Sequence, residues 1–105
     1  MEIELARDQV PDGGACIVPA GERLKIAVFR VGDRVAAIDN RCPHAGASLG
    51  EGCFDGTIVK CPLHGFRVDV WRGKGNAGKP VTTFPACLDG DRIRITVPEP
   101  PAQQP

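Results

Sequence analysis

The sequence predicts an all-β antiparallel domain, and three observations carry that prediction. Glycine and proline, 13 and 10 of 105 residues, are frequent enough to break the chain into short segments, while aromatics make up 5%. Such a composition favours short strands joined by many turns over long helices. Apolar and polar residues alternate with period two, most clearly at 92–97 (RIRITV), where Ile93, Ile95 and Val97 share one face and Arg92, Arg94 and Thr96 the other. No segment keeps a helical period over three turns.

The elements follow in order. Residues 24–30 (LKIAVFR) form a strand with Leu24, Ile26 and Val28 on one face, and 34–39 (RVAAID) pairs with it across the tight turn 31–33 (VGD). The segment 46–56 (GASLGEGCFDG) has room for no more than a short helical turn. A second pair joins 57–60 (TIVK) to 66–71 (FRVDVW), and a third joins 81–88 to 92–97 across Asp89, Gly90 and Asp91. Residues 72–80 (RGKGNAGKP), with three glycines and three basic residues, read as a flexible loop. The tail 98–105 (PEPPAQQP) is polar and proline-rich, with nothing to bury, and reads as disordered or polyproline-like.

Length and charge bound the function. A chain of 105 residues has room for one domain with one modest core. Thirteen Lys and Arg balance thirteen Asp and Glu, so no strong attraction to nucleic acid or to an anionic membrane is expected. No apolar run is long enough to span a bilayer, and the start MEIELARDQV lacks a basic-then-apolar leader, which predicts a cytoplasmic protein. Five cysteines, an odd number, preclude a complete set of internal disulfides and point to metal or redox chemistry.

That chemistry concentrates in two segments, Cys42-Pro43-His44-Ala45-Gly46 and Cys61-Pro62-Leu63-His64-Gly65. Both histidines of the chain are here, each near a cysteine, with a glycine that lets the backbone turn around a bound group. Any one of these cysteines alone would read as an ordinary core residue. The parallel placement of all four reads as a metal site of Cys42, His44, Cys61 and His64. Two cysteines and two histidines suit tetrahedral zinc, or a [2Fe–2S] centre in which two histidines replace two thiolates on one iron. Zinc modules more often pair like ligands within a loop or on a helix; here each loop mixes the two kinds.

CPHAG at 42–46 and CPLHG at 61–65 resemble the Cys-x-His and Cys-x2-His signature of the Rieske-type ferredoxins, the carriers of bacterial ring-hydroxylating dioxygenase systems. DNRCPH before, GFRVDV after and the stretch leading into Pro80 extend the similarity over most of residues 1–97. The resemblance implies a Rieske-type antiparallel β-sandwich or barrel over 1–97, with a small cluster-binding subdomain formed by two ligand loops within about 40–66 and a proline loop at about 72–80. It implies one [2Fe–2S] cluster, with Cys42 and Cys61 on the inner iron and His44 and His64 on the outer one. Two thiolates bring the oxidised cluster to zero charge and reduction to −1, so the electron is accepted more easily than in an all-thiolate cluster. High-potential relatives carry a disulfide at the positions of Ala47 and Leu63, and hydroxyl donors where this chain has Phe66 and Val68. The chain also has no tyrosine. A potential of roughly −150 to 0 mV is therefore expected.

The implied function is a soluble low-potential one-electron carrier, with a flavoprotein reductase as donor and a terminal ring-hydroxylating oxygenase as acceptor, and no catalytic site of its own. A nitrite reductase small subunit is the alternative, and a zinc-stabilised binding module the third reading. A catalytic oxygenase subunit would need two further histidines for a mononuclear iron, and both histidines here are already assigned. Cys16, Cys53 and Cys87 read as small, partly buried residues, and Trp71 and Phe84 as core. Arg67, Arg72, Lys74 and Lys79 offer a basic rim for an acidic partner, although each alone reads as a solvated loop residue.

Overall fold

The computed structural model describes residues 1–42, 47–62 and 65–98. Among them are eleven strands, all paired antiparallel, and three short 3-10 turns at Arg7–Gln9, Leu49–Glu51 and Asn76–Gly78. The all-β expectation holds. The single helical turn allowed within 46–56 is the one at Leu49–Glu51.

The strands form three sheets. The central one holds β2 (Gly14–Ala20), β3 (Leu24–Val31), β4 (Arg34–Asp39) and β9 (Thr83–Phe84) in the order β2-β3-β4-β9. A three-stranded sheet joins β1 (Glu2–Ala6), β11 (Arg92–Thr96) and β10 (Ala86–Asp89) in the order β1-β11-β10. The third holds β5 (Cys53–Phe54), β6 (Ile58–Lys60), β7 (Arg67–Asp69) and β8 (Lys74–Gly75) in sequence order.

Two apolar clusters divide the interior. Ile26 and Val28 of β3 pack with Leu5, Ile93 and Ile95 of the three-stranded sheet. Ala27 and Phe29, on the opposite face of β3, pack with Val59 and Val68 of the third sheet and with Cys42 and Cys61. The central sheet is therefore covered on both faces. Leu24, Ile26 and Val28 share one face of β3, as expected, and the opposite face is buried as well; a strand buried on both sides carries an unbroken apolar run, here IAVF at 26–29.

The segment 81–88, expected as one strand, divides at Pro85. Thr83–Phe84 extends the central sheet beside β4, and Ala86–Asp89 crosses to the other sheet beside β11. Proline has no N–H to give to a ladder, so a strand changes sheets most readily there. The segment 72–80, expected as a flexible loop, is tied both within itself and to its flanks. The N–H of Gly73 donates to Asp69 O at 2.9 Å, that of Gly75 to Lys79 O at 2.7 Å and that of Val81 to Gly73 O at 2.8 Å. Beyond Pro98, the tail expected to be disordered lies outside the described residues. Among the described residues no helix is long and apolar enough to cross a membrane.

Candidate metal centre

The two cysteine-bearing segments are hairpin loops of one design. In the first, the Cys42 N–H donates to Ala47 O at 2.9 Å, and Arg41 bridges Ser48 just outside. In the second, the Cys61 N–H donates to Phe66 O at 2.7 Å, and Lys60 pairs with Arg67 just outside. Each hydrogen bond closes a segment of equal length, 42–47 and 61–66, with the cysteine in the first position. The repetition fixes where each thiol leaves the sheet framework and turns inward.

Both thiols are buried, Cys42 at 1% and Cys61 at 2% exposure, in one apolar cluster with Leu49, Val59 and Val68. Nineteen residues apart in sequence, they are brought together because β4 leads into the first loop and the β6–β7 hairpin carries the second. None of the five cysteines forms a disulfide. His44 and His64, the other two expected ligands, lie outside the described residues.

Each loop has its own support. Asn40, 6% exposed, follows β4 directly and anchors the first. Its Nδ2 donates to Ser48 Oγ at 2.9 Å and its Oδ1 accepts the Gly50 N–H at 2.7 Å. Its backbone N–H reaches Lys25 O at 2.9 Å, and its carbonyl accepts the Leu49 N–H at 2.8 Å. Asn40 is missing from the ligand-centred sequence reading, because an asparagine between a strand and a cysteine carries no periodic or spacing signal. In the second loop Gly65 has φ +66°, a conformation that glycine adopts without strain. The Arg67 N–H donates to Asn76 Oδ1 at 3.2 Å, which ties this loop to the proline segment.

The remaining cysteines stand apart from this site. Cys16 is half-buried, as expected. Cys53 and Cys87 are exposed, which corrects their reading as partly buried: on two-sided strands their positions fall on the outer face, opposite Lys60 and Arg94. Phe84 is buried, and Trp71 packs at the edge of the Cys42–Cys61 cluster, donating Nε1 to Gly56 O at 2.8 Å beneath the Arg34 guanidinium, 4.2 Å from the ring.

Residues 4–87 match the Rieske [2Fe-2S] domain. The chain belongs to that family. Its cofactor is accordingly one Rieske-type [2Fe–2S] cluster, and the residues present fit one. Two thiols, the soft donors that iron–sulfur clusters use, are buried in one apolar cluster, each opening a loop segment of the same length. Bound there, the cluster supplies reversible uptake of one electron.

Within the Rieske family the chain is 40% identical to the 3-phenylpropionate/cinnamic acid dioxygenase ferredoxin subunit of Escherichia coli K12, over 78% of this chain and 87% of that protein. Among solved structures it is similar to the ferredoxin of carbazole 1,9a-dioxygenase from Nocardioides aromaticivorans IC177. That match has 32% identity and a TM-score of 0.78, and covers 87% of this chain and 91% of the other. A chain in the complex of reduced oxygenase and oxidized ferredoxin in carbazole 1,9a-dioxygenase matches with 28% identity and a TM-score of 0.81, over 90% and 91% of the two chains. A Mycobacterium tuberculosis protein described as a nitrite reductase small subunit shares the fold alone, at 22% identity and a TM-score of 0.74 over 90% of this chain and 95% of the other.

Proposed function

We propose that this Rieske protein is a one-electron carrier that receives electrons from a flavoprotein reductase and passes them to a terminal ring-hydroxylating oxygenase. Cys42 and Cys61 hold one iron, and His44 and His64 hold the other, nearer the surface. The observation that carries this reading is the pair of equal hairpin loops, each opening on a buried cysteine and each with a single histidine in its sequence. The likeness to dioxygenase ferredoxins along nearly their whole length supports the oxygenase as acceptor. The nitrite reductase alternative rests on fold likeness only.

In this reading the chain's own residues position and insulate. The loop-closing hydrogen bonds of Cys42 and Cys61 hold the thiolates in place. Phe29, Val59 and Val68 keep water from the sulfur side of the site. Burial of Phe66 and Val68, where hydroxyl donors stand in high-potential relatives, supports a potential toward the lower end, roughly −150 to 0 mV.

Electron paramagnetic resonance of the dithionite-reduced protein, purified without added metal, tests the reading. A rhombic signal with an average g value below that of all-cysteine clusters is expected, and His64→Ala abolishes it. A colourless, silent protein with one zinc per chain would overturn the carrier reading in favour of a zinc-stabilised module. A rhombic signal that survives in His64→Ala would overturn the ligand assignment alone.

A further inference from the structure

The zero net charge conceals a separation of charge. Residues 40–80 carry six of the thirteen Lys and Arg but three of the thirteen Asp and Glu, a net +3 that leaves −3 on the rest of the chain. The excess stands around the two loops. Arg41 and Ser48 flank the first, and Lys60 and Arg67 flank the second, so three of the four flanking residues are exposed cations.

Lys60 and Arg67 are direct cross-strand partners, and Lys74 stands opposite Asp69 on the neighbouring row of the same face, because Val59 and Val68 take the inward positions. Like charges placed directly opposite repel, so the Lys60–Arg67 pair works against the fold locally. The nearby carboxylates are turned to the backbone. Asp55 Oδ1 accepts from the N–H groups of Thr57 and Ile58, and Asp69 Oδ1 from those of Trp71 and Arg72. Asp69 Oδ2 lies 3.9 Å from Arg72. Among the described residues, Arg41, Lys60, Arg67 and Lys74 are in none of the ion pairs. Arg67 feels the charge of Asp55, but no carboxylate pairs with it or with Lys60 among the described ion pairs, and a local conflict only partly relieved is expected where a surface serves a partner.

We propose that this basic face, on the electron-carrier reading above, docks a carboxylate-rich face of the protein that donates the electron. One electron leaves the donor and one arrives here, so this end becomes more negative by one unit whatever ligands hold the cluster. Attraction to an acidic partner is therefore strongest before transfer and weaker after it, which captures the oxidised carrier and releases the reduced one. Toward an acceptor the same face would act in reverse, retaining the carrier after its electron had gone.

The test is stopped-flow reduction of the oxidised holoprotein by two reductants of opposite charge: reduced flavodoxin, an acidic flavoprotein, and the methyl viologen radical cation. Reduction by flavodoxin should slow about tenfold or more from about 10 mM to about 0.5 M ionic strength. At low salt, Lys60→Glu/Arg67→Glu should slow flavodoxin about tenfold and speed the viologen, with iron content unchanged. Lys60→Gln/Arg67→Gln should fall between, and supplies the comparison if charge reversal impairs folding. Rates indifferent to charge would overturn the docking proposal. So would a fall with both reductants, which would mean that the cations act through driving force. On immobilised polyglutamate the oxidised holoprotein should elute at higher salt than the reduced one, and the opposite order would overturn assignment to the donor. A protein that neither reagent reduces would instead remove the carrier reading itself.

Discussion

Cys42 and Cys61 differ from Cys53 in burial as much as in sequence neighbours. Their thiols lie in the apolar cluster, whereas Cys53 stands on an outer face opposite Lys60. Cys53→Ser is therefore expected to keep its full iron content, measured by colorimetric iron assay, and stoichiometric loss of iron would show a ligand role. The neighbouring histidines mark the two proposed ligand cysteines in the sequence itself, so this contrast was legible there. Asn40 was not. Its four partners come from β3, from Ser48 just beyond the first loop and from the turn at Leu49–Glu51, and nothing in its immediate sequence announces them. Asn40→Ala leaves the half-buried Gly50 N–H without its acceptor and should cost about 1–3 kcal/mol, read by urea denaturation. A loss below a few tenths would mean that solvent replaces the contact.

At the scale of elements, hairpins were easy to read and sheet membership was not. The β3–β4 and β10–β11 hairpins close across two-residue turns, Gly32-Asp33 and Gly90-Asp91, which are strong local signals. The division of 81–88 at Pro85 was hidden, because each half alternates acceptably alone and only the neighbouring strand decides its sheet. Strands β1 and β2 went unmarked for a related reason: EIELA is short, and GACIVPA alternates poorly along a half-buried edge.

The β5–β6 turn carries a pH dependence. The N–H groups of Ile58 and then Thr57 hold the Asp55 carboxyl below its ordinary range. A depressed folded pKa contributes stability that is fully present above the unfolded value and is lost as pH falls through the folded one. The wild type should therefore lose stability in acid, below about pH 4, more steeply than Asp55→Asn, which retains an acceptor oxygen but no charge. Equal slopes in denaturation at a series of acid pH values would show that the carboxylate is not responsible.

For the whole molecule the controlling feature is the central sheet, covered on both faces. Phe29, fully buried, meets the Phe54 ring with centroids 4.8 Å apart and shares a cluster with both site cysteines. Phe29→Ala should cost about 3–5 kcal/mol and lower the temperature at which the cluster's visible absorption is lost. A variant that loses stability while its absorption persists to the wild-type temperature would show that site and core are uncoupled. By itself the sequence determined the class of fold and singled out the two segments proposed to hold the cluster, because period-two alternation, turn residues and ligand spacing are all local. Only the tertiary structure decided that β3 is buried on both faces, that the chain changes sheets at Pro85, and that Lys60 stands against Arg67 beside the site. Each of these depends on which segments become neighbours, and that follows from the packing of the whole chain.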